Sequence, residues 1–188
     1  DVHPFNGFIQ SSITQAFLFS MGHQFPFVMS DSVTFGSNKF AFHSTGPNQA
    51  TFEGLKTSIF HNFNLQLWGN QLTGSDICGY HGNTTAELCA RWFQLGSFYP
   101  LARSHSSNDS IPREAYALGP DVLKAAHVNL KLRYSFLKYF YSEMVINRGY
   151  STVFSPTFVR IWEDTLNYDH RDNQFMIGSL LFTPILEN

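Results

Sequence analysis

Charged residues are scarce in this chain of 188 residues. Only 14% of the residues are charged, against roughly 25% in an ordinary globular domain, while 43% are hydrophobic. Disordered chains show the opposite balance, so this composition predicts a folded chain with a large apolar core. The net charge of −2 creates no positive field for a polyanion, and we therefore expect no nucleic acid partner.

The sequence also lacks long apolar runs and the short motifs of several enzyme classes. No window reaches the roughly 18 consecutive apolar residues of a membrane span, and none reads as a signal peptide. The G-x-S-x-G, G-x-G-x-x-G, Walker and H-E-x-x-H motifs are absent, and no two of the eight histidines lie three or four positions apart. We therefore expect no membrane span, no metal site and no cofactor.

Only two cysteines are present, Cys78 and Cys89. Their number alone leaves open whether they form a disulfide or remain two buried thiols. Two N-x-S/T sequons accompany them and predict N-linked glycosylation at Asn83 and Asn108. Together these features favour an oxidising compartment of the secretory pathway.

Helical and extended patterns alternate over the first 150 residues. Apolar spacing and terminal signals predict helices at 8–21, 50–63, from a Thr84–Glu87 capping box to Gly96, and from Pro120 to Gly149. The longest helix is expected to turn six residues inward: Leu123, Ala126, Leu130, Tyr134, Leu137 and Met144. Extended segments are predicted at 25–29, as a short buried strand, and at 72–77 and 97–102.

After Gly149 the pattern changes to strands alone, at 152–154, 158–162 and 179–185. Alternating strands and helices are typical of a parallel α/β domain, and consecutive strands are typical of a β domain. We therefore predict an α/β domain over residues 1–150 and the start of a β domain over residues 151–188.

Residues 73–105 carry a specific family pattern. Residues 73–80 read T-G-S-D-I-C-G-Y, residues 87–100 read E-L-C-A-R-W-F-Q-L-G-S-F-Y-P, and residues 103–105 read R-S-H. This stretch resembles glycoside hydrolase family 31, the α-glucosidases and sucrase–isomaltase-like enzymes, whose pattern is G-A-D-I-C-G-F, E-x-C-x-R-W-x-Q-L-G-A-F-Y-P-F and R-N-H. The similarity continues at D-V-H from residue 1 and at D-N-Q-F-M-I-G from residue 172.

The resemblance implies a (β/α)8 TIM barrel followed by a β-sandwich, of which this chain would supply the C-terminal half of the barrel and the start of the sandwich. It also implies a Cys78–Cys89 disulfide, an α-glucoside ligand and a lysosomal, secretory-pathway or extracellular location. Family members hydrolyse with retention, using one aspartate as nucleophile and a second as acid/base. The matching substrate-binding residues here are Asp76, Tyr80, Arg103 and His105. Two structural alternatives stay open: an ordinary Asp76–Arg103 ion pair and a hydrogen-bonded structural role for His105.

The sequence departs from the family at the reacting centre. The family's H-W-x-G-D-N reads H-S-T-G-P-N at 43–48, so Pro47 stands at the acid/base position and Ser44 replaces a tryptophan. The substrate-binding arginine of the family's T-R-S is replaced by Asp31. By the same resemblance, the nucleophile segment precedes residue 1. Asp31, Asp164, Asp169 and Asp172 are each conceivable substitute acids, and the spacing favours none of them.

These departures predict a catalytically inactive protein that acts in structure, assembly or carbohydrate binding. The alternative is an active retaining α-glucosidase with its nucleophile on an upstream segment. A complete barrel needs about 250 residues, and at least about 200, which is more than the α/β part offers. We therefore expect a fragment, or a subunit that folds against a partner chain or an upstream segment supplying the first half of the barrel.

Overall fold

Short strands and longer helices alternate along the chain in the computed structural model, which describes residues 3–147, 152–168 and 173–187. The helices are α1 (Asn6–Ser20), α2 (Phe52–Leu67), α3 (Ala86–Gly96), α4 (Pro120–Asn147) and α5 (Thr157–Arg160). The strands are β1 (Met29–Ser30), β2 (Phe42–His43), β3 (Asp76–Ile77), β4 (Arg103–Ser104), β5 (Phe154–Ser155), β6 (Phe175–Ile177) and β7 (Leu180–Phe182).

The first four strands form two parallel pairs. Met29 of β1 is in register with Phe42 of β2, and Asp76 of β3 is in register with Arg103 of β4. A backbone hydrogen bond of 3.1 Å from the Thr45 amide to the Gly74 carbonyl links the two pairs. Because parallel strands present their carboxyl ends at one edge, the segments that follow β1 to β4 meet on one side of the structure.

Threonine side chains start helices α2 and α3. The Thr51 hydroxyl accepts a hydrogen bond of 2.9 Å from the Gly54 amide, and the Thr85 hydroxyl accepts one of 3.2 Å from the Leu88 amide. The predicted capping box at Thr84 is therefore wrong by one residue. Thr84 is buried, and its hydroxyl donates to the Thr85 carbonyl instead of capping the helix.

One apolar core joins the helices to the C-terminal strands. Strands β5, β6 and β7 form an antiparallel sheet in that order. The Phe154 ring of β5 lies 5.2 Å from the Phe63 ring of α2 and 4.4 Å from the Phe175 ring of β6, measured between centroids. The buried Gln66 side-chain oxygen of α2 accepts from the amides of Val153 and Phe154, at 3.0 and 3.3 Å. The sheet is thus anchored directly to α2.

The predicted buried strand at 25–29 is wrong. Only Met29 of that segment is paired, and Phe25 is 92% exposed. Among the described residues β1 pairs only with β2, and Phe27, whose ring stacks on that of Phe42 at 5.2 Å, is still 59% exposed. The apolar side chains Ile13 and Phe17 of α1 are exposed in the same way.

The predicted strand at 97–102 is also wrong, because this segment forms turns. The Arg133 guanidinium of α4 donates to the carbonyls of Ser97, Tyr99 and Pro100, at 2.8, 2.5 and 2.7 Å. Carbonyls that bind a guanidinium are not available to a strand ladder, and β4 begins only at Arg103.

The third incorrect strand is 158–162, where the chain forms the short helix α5. The Ile161 amide binds the Thr157 carbonyl at 2.9 Å, so local helical bonds satisfy the backbone there. The predicted strands at 152–154 and 179–185 overlap β5 and β7. The predicted helix end at Gly149 and the domain boundary near residue 150 lie outside the described residues.

The long helix α4 begins at Pro120 as predicted, but its inward face was partly misassigned. Leu123, Tyr134 and Leu137 are exposed, Tyr134 by 73%, whereas Val122 and Phe140 are fully or almost fully buried. Helix α4 packs against α3. Ala126 is buried as expected, and Leu130 and Met144 pack partly against the core.

Candidate functional site

An ion pair joins the first residues of β3 and β4. The Arg103 Nε donates to the Asp76 Oδ1 at 2.7 Å. The Asp76 side chain is 1% exposed and that of Arg103 is 29% exposed. The two residues are side by side because β3 and β4 pair in parallel with Asp76 opposite Arg103, and this pairing assembles this part of the site.

The Asn48 side chain holds the backbone of Asp76 in position. Its Oδ1 accepts from the Asp76 amide and its Nδ2 donates to the Asp76 carbonyl, both at 3.2 Å. The sequence reasoning quoted Asn48 only as the end of a motif and did not assign it this role. Its position one residue after Pro47, in a motif known for catalysis, was the available signal.

Burial raises the pKa of the Asp76 carboxyl above its ordinary value, because desolvation disfavours the charged form. The hydrogen bond and charge of Arg103 oppose this shift, and the charge of His105 opposes it further. The charge of Asp31 acts in the same direction as burial. Asp31, Asp76, Arg103 and His105 are therefore close enough to interact electrostatically.

Two aromatic rings border the ion pair. Tyr80 follows β3, and His105 follows β4 directly. The centroids of their rings are 5.2 Å apart with an interplanar angle of 53°. Tyr80 is half-buried and His105 is exposed. The structure thus brings together all four residues that the resemblance assigns to substrate binding; that role itself stays a prediction.

Gly79 gives Tyr80 its position. Its φ of +83° favours glycine, and an added Cβ would lie 2.4 Å from the Ala50 Cα. The Tyr80 amide then reaches the Asn48 carbonyl at 2.8 Å. The strand that bears Asp76 and the segment that bears Pro47 are consequently held against each other.

The altered family positions lie on the neighbouring strand ends. Asp31 follows β1 and Ser44 follows β2, and the Ser44 hydroxyl donates to Asp31 Oδ1. Ser44 is buried, whereas Asp31 and Pro47 are exposed. Asp31 and Ser44 also line a cleft of about 430 Å³ that reaches Trp68, the residue after α2. Position 47 offers no group that can carry a proton.

A buried histidine supports the strand end that carries Asp31. The His43 Nε2 lies 2.9 Å from the Ser37 hydroxyl, and its Nδ1 lies 3.1 Å from the Ser30 carbonyl. Burial lowers the pKa of His43 below its ordinary value, although both hydrogen bonds and the charge of Asp31 oppose the shift. The sequence reasoning gave this residue no role.

The other candidate acids are separate from this site or undescribed. The Asp164 carboxylate accepts from the Leu166 amide at 3.0 Å and caps a turn at Thr165–Asn167. Asp169 and Asp172 lie outside the described residues.

The disulfide implied by the resemblance is present. Cys78, directly after β3, is bonded to Cys89 of α3 with a Cα–Cα distance of 4.5 Å, and both residues are buried. It ties the loop that carries Tyr80 to α3. Asn83 and Asn108 are exposed, and their glycosylation stays a prediction.

Within residues 3–147, 152–168 and 173–187, no three His, Cys, Asp or Glu side chains are grouped so that they could hold a metal ion. No helix in the same ranges combines the length and apolar character needed to cross a membrane.

Known proteins are similar to this chain in sequence and in fold. The glycosyl hydrolases family 31 TIM-barrel domain matches residues 1–143. A lysosomal acid alpha-glucosidase of Tetrahymena pyriformis is 46% identical over 190 residues, which cover 99% of this chain and 20% of that protein. A probable alpha-glucosidase of Oryza sativa subsp. japonica is 39% identical over 100% of this chain and 21% of its own length.

The crystal structure of a Tris-bound glucosidase II alpha subunit superposes with a TM-score of 0.92 at 31% identity, over 100% of this chain and 21% of that one. The chain thus spans about a fifth of the length of these relatives. The family motifs, the parallel strand pairs and the disulfide agree with these matches, and the chain belongs to glycoside hydrolase family 31 as part of its TIM-barrel domain.

Proposed function

We propose that this family 31 barrel binds a terminal α-glucoside without hydrolysing it, and that it acts in structure, assembly or carbohydrate recognition. The observation that carries the proposal is Pro47. By resemblance it stands where the family has its acid/base aspartate, on the exposed segment between β2 and α2. A general acid must hold a proton within hydrogen-bond reach of the leaving oxygen, and proline has none to give.

Two further changes weaken the same centre. Retaining hydrolysis passes through a positively charged, oxocarbenium-like sugar between two carboxyl groups. Asp31 is an exposed carboxylate where the family has a substrate-binding arginine, and the Ser44 hydroxyl is bonded to it in place of a tryptophan wall. The polar contacts and the shape of this wall therefore differ from those that the family uses to position the sugar.

The remaining residues favour retained binding. The Asp76 carboxylate is fixed by Arg103, its backbone is fixed by Asn48, and the disulfide at Cys78 fixes the loop that leads to Tyr80. Sugar sites need a few polar groups held in defined positions, with aromatic surface beside them. A glucosidase II alpha subunit has been solved in a form bound to alpha3-Glc2, which supports a carbohydrate ligand here.

We further propose that an upstream segment or a partner chain supplies the first half of the barrel. Exposed Ile13, Phe17, Phe25 and Phe27 support this, because such a face is unfavourable in water. The change from parallel to antiparallel pairing supports a barrel part to residue 150 and a β domain from residue 151. The disulfide, and a lysosomal relative at 46% identity, support a lysosomal, secretory-pathway or extracellular location.

The test is to measure turnover of a fluorogenic α-glucoside and calorimetric binding of maltose on the native full-length protein. We expect no turnover, together with saturable binding that weakens at least about tenfold in Asp76→Asn, since hydrogen bonds to a charged group contribute about 1.5–3 kcal/mol. Circular dichroism controls for folding. Clear turnover would refute the inactive assignment, and absence of any maltose binding in a folded protein would refute the binding role.

The second candidate is an active retaining α-glucosidase whose nucleophile lies upstream. The observation that favours it is Asp31, an exposed carboxylate whose charge acts on Asp76 and which could take over the proton transfer. In that case Asp31→Asn would abolish the turnover of the wild-type protein, while Asp164→Asn, which changes a carboxylate that caps a separate turn, would leave it unchanged.

A further inference from the structure

A second cleft, of about 620 Å³, opens between the loop after β4 and helices α3 and α4. The helices contribute apolar side chains, among them Phe93 and Leu130. The end of β4 and the loop contribute hydroxyl groups, from Ser104 of β4 and from Ser106, Ser107 and Ser110 of the loop. The cleft thus has one apolar wall and one wall rich in hydrogen-bond donors.

A buried arginine lines this cleft without a counter-charge. Arg113 is 4% exposed, and its Nη2 donates to the Gly82 carbonyl. Its Nε and Nη1 have no hydrogen-bond partner, and Arg113 takes part in none of the ion pairs found among the described residues. A buried guanidinium without an anion is costly, and the desolvation lowers the pKa of Arg113 accordingly.

The hydroxyl-bearing wall is held in place before any ligand arrives. The Ser107 amide donates to the Tyr80 carbonyl at 3.1 Å, and the Ile111 amide donates to the Asn83 side chain at 3.0 Å. The hydroxyls of Ser107 and Ser110 lie 2.8 Å apart. The loop is therefore ordered before a ligand binds, and little binding free energy is lost in ordering it.

We propose that this cleft binds a tetrahedral oxyanion, a phosphate or sulfate group, whose negative charge neutralises Arg113 and whose oxygens accept from the Ser106 hydroxyl. The Ser110 hydroxyl is bonded to the Tyr80 carbonyl at 3.3 Å and to the Ser107 hydroxyl, so these two serines shape the wall. Guanidinium groups suit such anions because their donors match the spacing of the oxygens. Glu114 also lines the cleft, as an exposed carboxylate, and weakens the binding of an anion. His105 lines the cleft too and lies beside Tyr80, so an anion carried by a sugar could reach the carbohydrate site.

Calorimetry on the native full-length protein tests this site independently of catalysis, at constant ionic strength with chloride as the competing anion. Three probes separate the sources of the anion: inorganic phosphate, glucose 6-phosphate and glucose. We expect saturable binding of at least one of the two phosphates, weakened at least about tenfold in Arg113→Gln, because a charge-assisted hydrogen bond is lost. Tighter binding of glucose 6-phosphate than of inorganic phosphate would identify a sugar-borne anion, and the reverse a free one.

A second pair of variants avoids the buried arginine and keeps the test decisive if Arg113→Gln does not fold. Ser106→Asp puts a carboxylate on the cleft wall and should abolish phosphate binding, whereas the neutral Ser106→Asn of the same size should largely retain it. Two results would overturn the proposal: no saturable binding of either phosphate, or affinities that are the same in the wild-type protein, Arg113→Gln and Ser106→Asp.

Discussion

Restoring the proton donor is the most direct test of why this barrel should be inactive. Pro47 is exposed, and it lies between Gly46, which has a φ of +76°, and Asn48. An aspartate at position 47 therefore fits without disturbing the core. The companion changes Ser44→Trp and Asp31→Arg remove the hydroxyl–carboxylate hydrogen bond at the same strand ends and return the family's residues.

The expected gain follows from the role of the acid. General acid catalysis contributes about 10²–10⁴ in rate, which corresponds to about 3–5 kcal/mol of barrier. Asp31→Arg changes the local charge by two units near the Asp76 carboxyl, whose pKa the charge of Asp31 already raises. Ser44 and Asp31 line the cleft of about 430 Å³, so the indole of Ser44→Trp has space near its family position.

The choice of substrate separates the acid from the rest of the machinery. Maltose has a poor leaving group that needs protonation, whereas α-glucosyl fluoride leaves without it. If the nucleophile is intact, the wild-type full-length protein should release a burst of about one fluoride per active site from α-glucosyl fluoride and then stop, because no base activates the water that hydrolyses the glycosyl-enzyme; it should not hydrolyse maltose. The triple variant should then gain at least about 10²-fold on maltose and convert the fluoride burst into steady turnover.

The matched control is the same triple variant with Pro47→Asn, which has the size of aspartate but no proton to donate. Gains on maltose in the asparagine control would show that Pro47 is not the cause of the inactivity. A folded triple variant that hydrolyses neither substrate would show that the nucleophile or the barrel itself is compromised, and would refute the reasoning from the acid alone.

The remaining predictions concern stability and are measured by denaturant unfolding of the native full-length protein. Arg103→Met should destabilise it by about 2–3 kcal/mol, less than the about 3–5 kcal/mol of a fully buried pair because Arg103 is 29% exposed. Adding Asp76→Asn should recover most of this loss, and strictly additive costs would contradict the coupling. Burial lowers the pKa of His43 in the folded protein below its ordinary value of 6.5. At a pH below about 6.5 the unfolded chain therefore binds more protons than the folded one, and the free energy of unfolding should fall as the pH drops toward the pKa of the folded state. His43→Gln should flatten that slope, and an unchanged slope would assign it to other groups. Reducing the disulfide between Cys78 and Cys89, which are 11 positions apart, should lower the free energy of unfolding by about 3 kcal/mol in the loop-entropy model. The variant with serine at both positions should show the same loss, and a loss under about 1 kcal/mol would contradict this prediction.

Local sequence was sufficient for the helices and for the family. The spacing of apolar residues predicted α2, and the signals at helix ends predicted α3 and the start of α4 at Pro120, because contacts within three or four residues determine both. The predicted cap of α3 is wrong by one residue for a related reason. Thr84 and Thr85 can both cap a helix, and only the burial of Thr84 decides between them.

The strands and turns depended on distant residues. Residues 97–102 have the composition of a strand, yet Arg133, more than 30 positions away, takes the carbonyls that a strand would need. Phe25 and Phe27 have the composition of a core strand, yet both are exposed in the described part of the chain. Composition cannot report which partner a backbone group or an apolar side chain will meet.

The sequence by itself determined which residues depart from the family pattern, namely Pro47, Asp31 and Ser44, and the loss of acid/base chemistry is a prediction from them. Only the tertiary structure decided what the remaining residues do together. Parallel register joins Asp76 to Arg103 across 27 positions, and burial sets the direction of the carboxyl pKa. Distances between strand ends and exposure to water are properties of the packed chain, and no single segment contains them.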